Sequence, residues 1–269
     1  MTATLVTALY DIDRETKGDG RKFDEYLSWF SETLKLPSSM VVFVPGNLVS
    51  FVESYRQNLP TKIIKQELEE VPYYFLNQKI QNILNSKKYQ TKIDSPNRVE
   101  CKNSLYNTII FSKFKWVQES IKKDYFNTEL FMWMDAGLSR FFHKEDLEKP
   151  YPSDNGIQAM LENKDKVIIQ TSMSYYPDLV EANKCTEEYF WDSRTWVMAG
   201  LWGGGKEPLN QFCDLIDDVL QNKMITNGVI NNEQNAMAYV YKNNQNLFLA
   251  FENYAHLHTN YQFIQELHK

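Results

Sequence analysis

Twenty residues with helical spacing, SLYNTIIFSKFKWVQESIKK (104–123), lead almost directly into LFMWMD (130–135), a run without a polar side chain until its last position. A strand that is apolar on both faces needs cover on both faces, which is the situation of a strand inside a helix-flanked sheet. SMVVFVP (39–45) has the same character, and TATLVTALYD (2–11) and KVIIQTS (166–172) are shorter versions of it. Between them lie amphipathic stretches: Phe23, Tyr26, Leu27, Phe30 and Leu34 ahead of Pro37, and Leu48, Phe51, Val52 and Tyr55 ahead of Pro60. PLNQFCDLIDDVLQNKM and NEQNAMAYVYKN continue the pattern, TKIIKQ reads as a third strand, and LFLAF reads as a closing one. Strands alternating with helices predict an α/β fold with a central, mostly parallel sheet.

At 269 residues and 43% hydrophobic, the chain can bury a full core in one large α/β domain or two small ones. The pattern predicts a single domain over 1–269, with the polar, broken segment of about 73–103 as a surface insertion. The net charge of −6 gives no global attraction for nucleic acid or an anionic membrane. Cys101, Cys185 and Cys213 have no metal-like spacing and read as free thiols of a reducing compartment or as small buried residues. The amino terminus lacks a basic region followed by a long apolar one, and no run reaches the roughly 18 apolar residues of a spanning helix. These features predict a soluble, cytoplasmic protein without a signal peptide.

In open α/β sheets, ligands bind outside the carboxyl ends of the strands. Tyr10, Asp11 and Arg14 after the first strand, and Asp135 to Arg140 after LFMWM, should therefore face one crevice. For WMDAG two readings stand: a turn in which Asp135 bonds its own backbone and Gly137 takes a positive φ, or a carboxylate at the rim of a site. MAGLWGGGKEPLNQF (198–212) fits neither a dinucleotide fingerprint nor a P-loop, and reads as a binding loop or a tight turn at a helix start. Asn232, Glu233 and Gln234 have the composition of a helix cap. Lys113 reads as a surface lysine or a phosphate contact. His256 and His258, two residues apart, read as a solvated pair or as metal ligands.

Taken in order, TLVTALYDIDR, GRKFDEYLSWF, MVVFVP, FSKFKWVQESI, FMWMDAGLSRF and AGLWGGG…NNEQNAMAYVYKNNQNLF resemble the bacterial HtrL/YibB-type family over nearly the whole chain. That family is similar to glycosyltransferases of the GT-A, Rossmann-like fold. The resemblance implies transfer of a sugar from a nucleotide sugar, a UDP-sugar, to a carbohydrate or other hydroxyl acceptor. It implies that Thr7, Ala8, Tyr10 and Arg14 line the nucleotide pocket, and that Lys113, Asp135, Ala136, Gly137, Gly200, Gly203 and Gly204 lie along the donor. Trp202 and Gln234 would meet the acceptor, and Glu233 or Asp192 would act as base.

GT-A enzymes usually carry Mn²⁺ or Mg²⁺ on an acid-any-acid motif. Here Asp135 matches the first acid and Gly137 stands in place of the second, and the resemblance implies a C-terminal histidine, His258 (or His256), as a compensating metal ligand. A sugar-nucleotide hydrolase or nucleotidyltransferase, or a carbohydrate-binding protein without turnover, would share these features.

Overall fold

The computed structural model describes residues 3–173, 176–178 and 185–252. Seven strands form one sheet in the order β3-β2-β1-β4-β6-β5-β7. They are β1 (Ala3–Ala8), β2 (Ser39–Val44), β3 (Thr61–Lys65), β4 (Leu130–Met134), β5 (Val167–Thr171), β6 (Val197–Gly205) and β7 (Phe248–Glu252). β1 pairs in parallel with β2 and β4, β2 with β3, and β5 with β7, while β6 runs antiparallel between β4 and β5. The fold is α/β with a mostly parallel central sheet, as the alternation predicts.

Side chains along a strand alternate between faces, so the apolar runs feed two cores. Val6, Ala8, Tyr10, Phe131 and Trp133 enter the larger one. Leu5, Leu9, Met40, Val42, Met132 and Met134 enter the smaller one. The helix Ser104–Lys123 covers the larger core across β1 and β4, joined by Lys206–Asp218 and Glu233–Asn243. Phe23–Thr33, Val49–Arg56 and Asp154–Glu162 cover the other face. The long helix has the start and end its sequence calls for. The Asn103 side chain accepts the Tyr106 N–H at 3.2 Å, Lys122 and Lys123 sit in its last turn, and Asp124 closes it in the left-handed region at φ 42°.

Two expectations are corrected. The segment 73–103 is not merely superficial: Tyr73, Ile80, Leu84 and Tyr89 are buried in the larger core, and its helix Asn77–Leu84 closes that core against Ser104–Lys123, with Lys87–Lys92 packed on Asn77–Leu84. Spaced as short turns, those apolar residues do not show their common face in the sequence. The glycine-rich run 200–205 is strand β6, with no loop character. A Cβ on Gly203 would stand 2.5 Å from Met132 Cγ, and one on Gly204 would stand 2.4 Å from the Lys166 carbonyl oxygen. The glycines let β6 pass between bulky neighbours. All three cysteines are free and buried. No helix among the described residues is long and apolar enough to cross a membrane.

Candidate functional site

The chain leaves β1 for β2 on one side and returns at β4 on the other, and a cavity of about 310 Å³ opens at the carboxyl ends of these two strands. That is the place where the direction of strand succession reverses and where open α/β sheets bind ligands. Ala8, Tyr10 and Arg14 line it from β1, and Trp133, Asp135, Ala136 and Gly137 from β4. Tyr106, Ile109, Ile110, Lys113 and Trp116, on one stripe of the long helix, form another wall. Tyr10 and Trp116 stack at 5.6 Å with 2° between their planes, and Trp133 continues the stack beyond Trp116 at 6.1 Å.

Asp135 stands two residues beyond Trp133 and therefore on the same face of the sheet. Its Oδ1 accepts hydrogen bonds from Trp133 Nε1 at 2.6 Å and Lys113 Nζ at 3.2 Å, and its side chain stays 46% exposed. Lys113 also donates to Glu233 Oε1 at 2.6 Å and to the Ala199 carbonyl at 3.3 Å. Lys113 and Glu233 are buried. Burial opposes the Lys113 charge, but the Asp135 and Glu233 carboxylates outweigh it and raise the ammonium pKa. Burial dominates at Glu233 and pushes its carboxyl up, with Lys113 acting against it. Glu233 Oε2 is buried without a hydrogen-bond partner. A buried carboxylate oxygen left unpaired is costly, and Glu233 is among the residues that line the cavity.

WMDAG does end the strand in a turn, but not in the form expected from the sequence. Gly137 has φ −93°, and the Leu138 N–H bonds the Asp135 backbone carbonyl at 2.9 Å, with no part taken by the side chain. The turn is pinned instead by the helix Phe23–Thr33. Thr33 Oγ1 donates to the Ala136 carbonyl at 2.7 Å, and Ser139 Oγ donates to the Trp29 carbonyl at 2.6 Å.

The structure gathers Ala8, Tyr10, Arg14, Lys113, Asp135, Ala136, Gly137 and Glu233 around one cavity. Others do not reach it. Thr7 is buried and lies on the Leu5 face of β1, opposite to Ala8. Gly200, Gly203 and Gly204 belong to β6, and Trp202 is buried, stacked on Phe114 at 5.1 Å, so no acceptor can stack on it. Asp192 does not line the cavity. Its carboxylate is gripped by Arg194, with a shortest contact of 2.6 Å. Gln234 gives its backbone N–H to the Asn232 cap at 3.0 Å and is likewise not in the lining. His256 and His258 lie outside the described residues.

Sequence reasoning missed Trp133 and Tyr106, which read only as core aromatics, and Arg21, which no strand end announces. Arg14 and Tyr26 share a short hydrogen bond, and the Arg14 guanidinium lies over the Tyr106 ring at 4.9 Å. For a divalent cation, the end of β4 offers the half-exposed Asp135, whose Oδ1 is already taken by Trp133 and Lys113. No group of three His, Cys, Asp or Glu that could hold a metal occurs among the described residues. An ion that keeps waters and takes phosphate oxygens needs only one or two carboxylates, so Asp135 fits such an ion in the company of a diphosphate.

A helix-flanked sheet with a charged crevice at its switch point defines an α/β protein of the open-sheet class. The chain belongs to the HtrL/YibB family: the profile described as "Bacterial protein of unknown function (HtrL_YibB)" matches residues 1–256. Protein HtrL of Escherichia coli (strain K12) is 22% identical over 265 residues, covering 92% of this chain and 86% of that protein. Among solved structures, mouse xyloside xylosyltransferase 1 in its apo form aligns over 93% of this chain and 85% of its own, at 10% identity and a TM-score of 0.47. At that level the likeness says nothing about activity.

Proposed function

We propose that the protein is a glycosyltransferase that takes a sugar from a nucleotide sugar, a UDP-sugar, and gives it to a hydroxyl of a carbohydrate acceptor. The observation that carries this reading is the half-exposed Asp135 at the end of the central strand, with the buried Lys113–Glu233 pair behind it, in a cavity that the end of β1 also lines. In the transfer, the bond from the anomeric carbon to the diphosphate oxygen breaks and the electron pair leaves with UDP. The acceptor hydroxyl oxygen forms the new bond to that carbon and loses its proton to a carboxylate.

Glu233 is the carboxylate suited to this, with Lys113 holding one oxygen and the other free. Asp192 is set aside, because Arg194 occupies it. Tyr10, stacked on Trp116, and Tyr106 offer aromatic faces for a base. Mn²⁺ or Mg²⁺ on Asp135 would supply positive charge to the departing diphosphate, and His258 remains a candidate second ligand.

The test is release of UDP from a panel of UDP-sugars with and without oligosaccharide acceptors. Acceptor-stimulated release that Asp135→Asn and Glu233→Gln sharply reduce supports the reading. Release that no acceptor stimulates points to a sugar-nucleotide hydrolase, and binding without release points to a carbohydrate- or nucleotide-binding protein.

A further inference from the structure

The position of the missing second acid is crowded by an aromatic ring. A Cβ on Gly137 would stand 3.1 Å from Trp29 Cε3, so no carboxylate could be built there without displacing that ring. The same ring carries two guanidinium groups, with Arg140 Cζ 4.8 Å and Arg21 Cζ 5.6 Å from its centroid. Arg140 also stands over Phe141 at 4.8 Å, and Arg21 donates to Tyr26 Oη at 3.1 Å. Both arginines line the cavity that holds Asp135.

Their charges are largely uncommitted. Asp19 is bonded to Arg14 at 2.6 Å and reaches Arg21 only at 3.9 Å. Arg140 is exposed and in no ion pair among the described residues. Stacking on an aromatic face orients a guanidinium without neutralising it, and the planar fork of donors then presents itself to a phosphate in bidentate fashion. The cavity's remaining carboxylates, Asp11, Asp13 and Glu15, follow β1, and Asp13 is paired with Lys17 at 3.2 Å.

We infer that Arg21 and Arg140, held over Trp29, form a phosphate clamp beside Asp135 that binds the diphosphate of a nucleotide ligand without a divalent cation. This rests on the nucleotide-sugar reading and deepens it: where a second acid would hold a metal, this chain sets fixed positive charge directly. A cation on Asp135 then adds to diphosphate binding and is not its precondition.

Titration calorimetry on the full chain tests this, using UDP, inorganic pyrophosphate and uridine, each in EDTA and in Mn²⁺. Wild type should bind UDP and pyrophosphate in EDTA. Arg140→Ala should weaken both at least tenfold, Arg21→Met/Arg140→Ala should weaken them further, and uridine binding should be unchanged by either. Arg140→Lys should recover only part of the loss, because it restores charge without the fork. Arg140 is exposed, so its variants should keep the wild-type melting temperature.

UDP binding that requires Mn²⁺, or that Arg140→Ala leaves intact, overturns the clamp and leaves the nucleotide-sugar reading standing. Pyrophosphate bound in EDTA with UDP and uridine excluded keeps the clamp and sinks the nucleotide reading. Failure of every phosphate compound in both buffers overturns both.

Discussion

The chain uses glycine to allow close approach twice, just after β4 and at the end of β6, for different ends. At Ala136–Gly137 the backbone turns out of the sheet, leaves Asp135 half exposed, and admits Trp29 where a side chain would stand. At Gly203–Gly205 the backbone stays in the sheet, and the missing side chains make room for Met132 and for the carbonyls of Lys164 and Lys166. Trp29 carries Arg21 and Arg140, which line the cavity, whereas Trp202 is sealed in the core between Phe114 and Phe212. A glycine is a mark of close approach. Whether the approaching partner is a ligand or the protein itself depends on whether the strand has ended.

Substitutions in the two regions should therefore fail differently. The largest effect belongs to Trp202→Ala, which should cost about 4 kcal/mol of stability as a fully buried aromatic. Ligand affinity per folded molecule should be unchanged, and chemical denaturation together with calorimetry checks both. Next comes Gly204→Ala. Its φ of 153° and the nearby Lys166 carbonyl combine strain and overpacking for a loss of about 3 kcal/mol in the same denaturation experiment.

Asp135→Asn reverses the pattern. The melting temperature should stay near wild type, because the side chain is half exposed, while turnover should fall about a hundredfold, the size of losing one electrostatic contact at a transition state. A variant that melts early yet keeps its turnover would erase the contrast between the regions.

A pH profile sharpens the account at Glu233. Burial raises its carboxyl above the ordinary 4.5 and Lys113 pulls it back down. A base must be ionised to act, so kcat/KM should fall with decreasing pH at a point above 4.5. In Lys113→Met, with the opposing charge gone, this acid limb should move to higher pH; Lys113 would then be a positioning residue for Glu233. A limb that does not move would place the titrating base elsewhere. The smallest effect is expected for Gly137→Ala, about 1 kcal/mol, since only the Trp29 ring must shift by a few tenths of an ångström.

The sheet was legible because fully buried strands announce themselves as unbroken apolar runs, and LFMWM and SMVVFV are such runs. Asp135, Tyr10 and Arg14 were legible for a related reason: a strand end is a position that can be read from the chain. Lys113 was legible only as an alternative. Nothing in FSKFKW distinguishes a lysine turned into the core from one in solvent until Asp135 and Glu233, 22 and 120 residues away, are brought to it.

The β6 misreading has the same origin. GLWGGG lacks the β-branched side chains of a strand, and it becomes one because Met132 on one neighbour and Lys166 beside the other leave no space for anything larger. Arg21 and Arg140 belong to segments 119 residues apart, and only the fold sets them on one ring.

The most direct test of the central claim, that the switch-point crevice between β1 and β4 binds a nucleotide sugar, is a crystal structure of the chain grown with UDP and Mn²⁺. The account predicts uridine against Tyr10 or Tyr106 and the diphosphate within reach of Asp135 and Arg140, with Glu233 Oε2 facing the space left for the donor sugar. Nucleotide bound away from this crevice, with Lys113, Asp135 and Glu233 untouched, would contradict it.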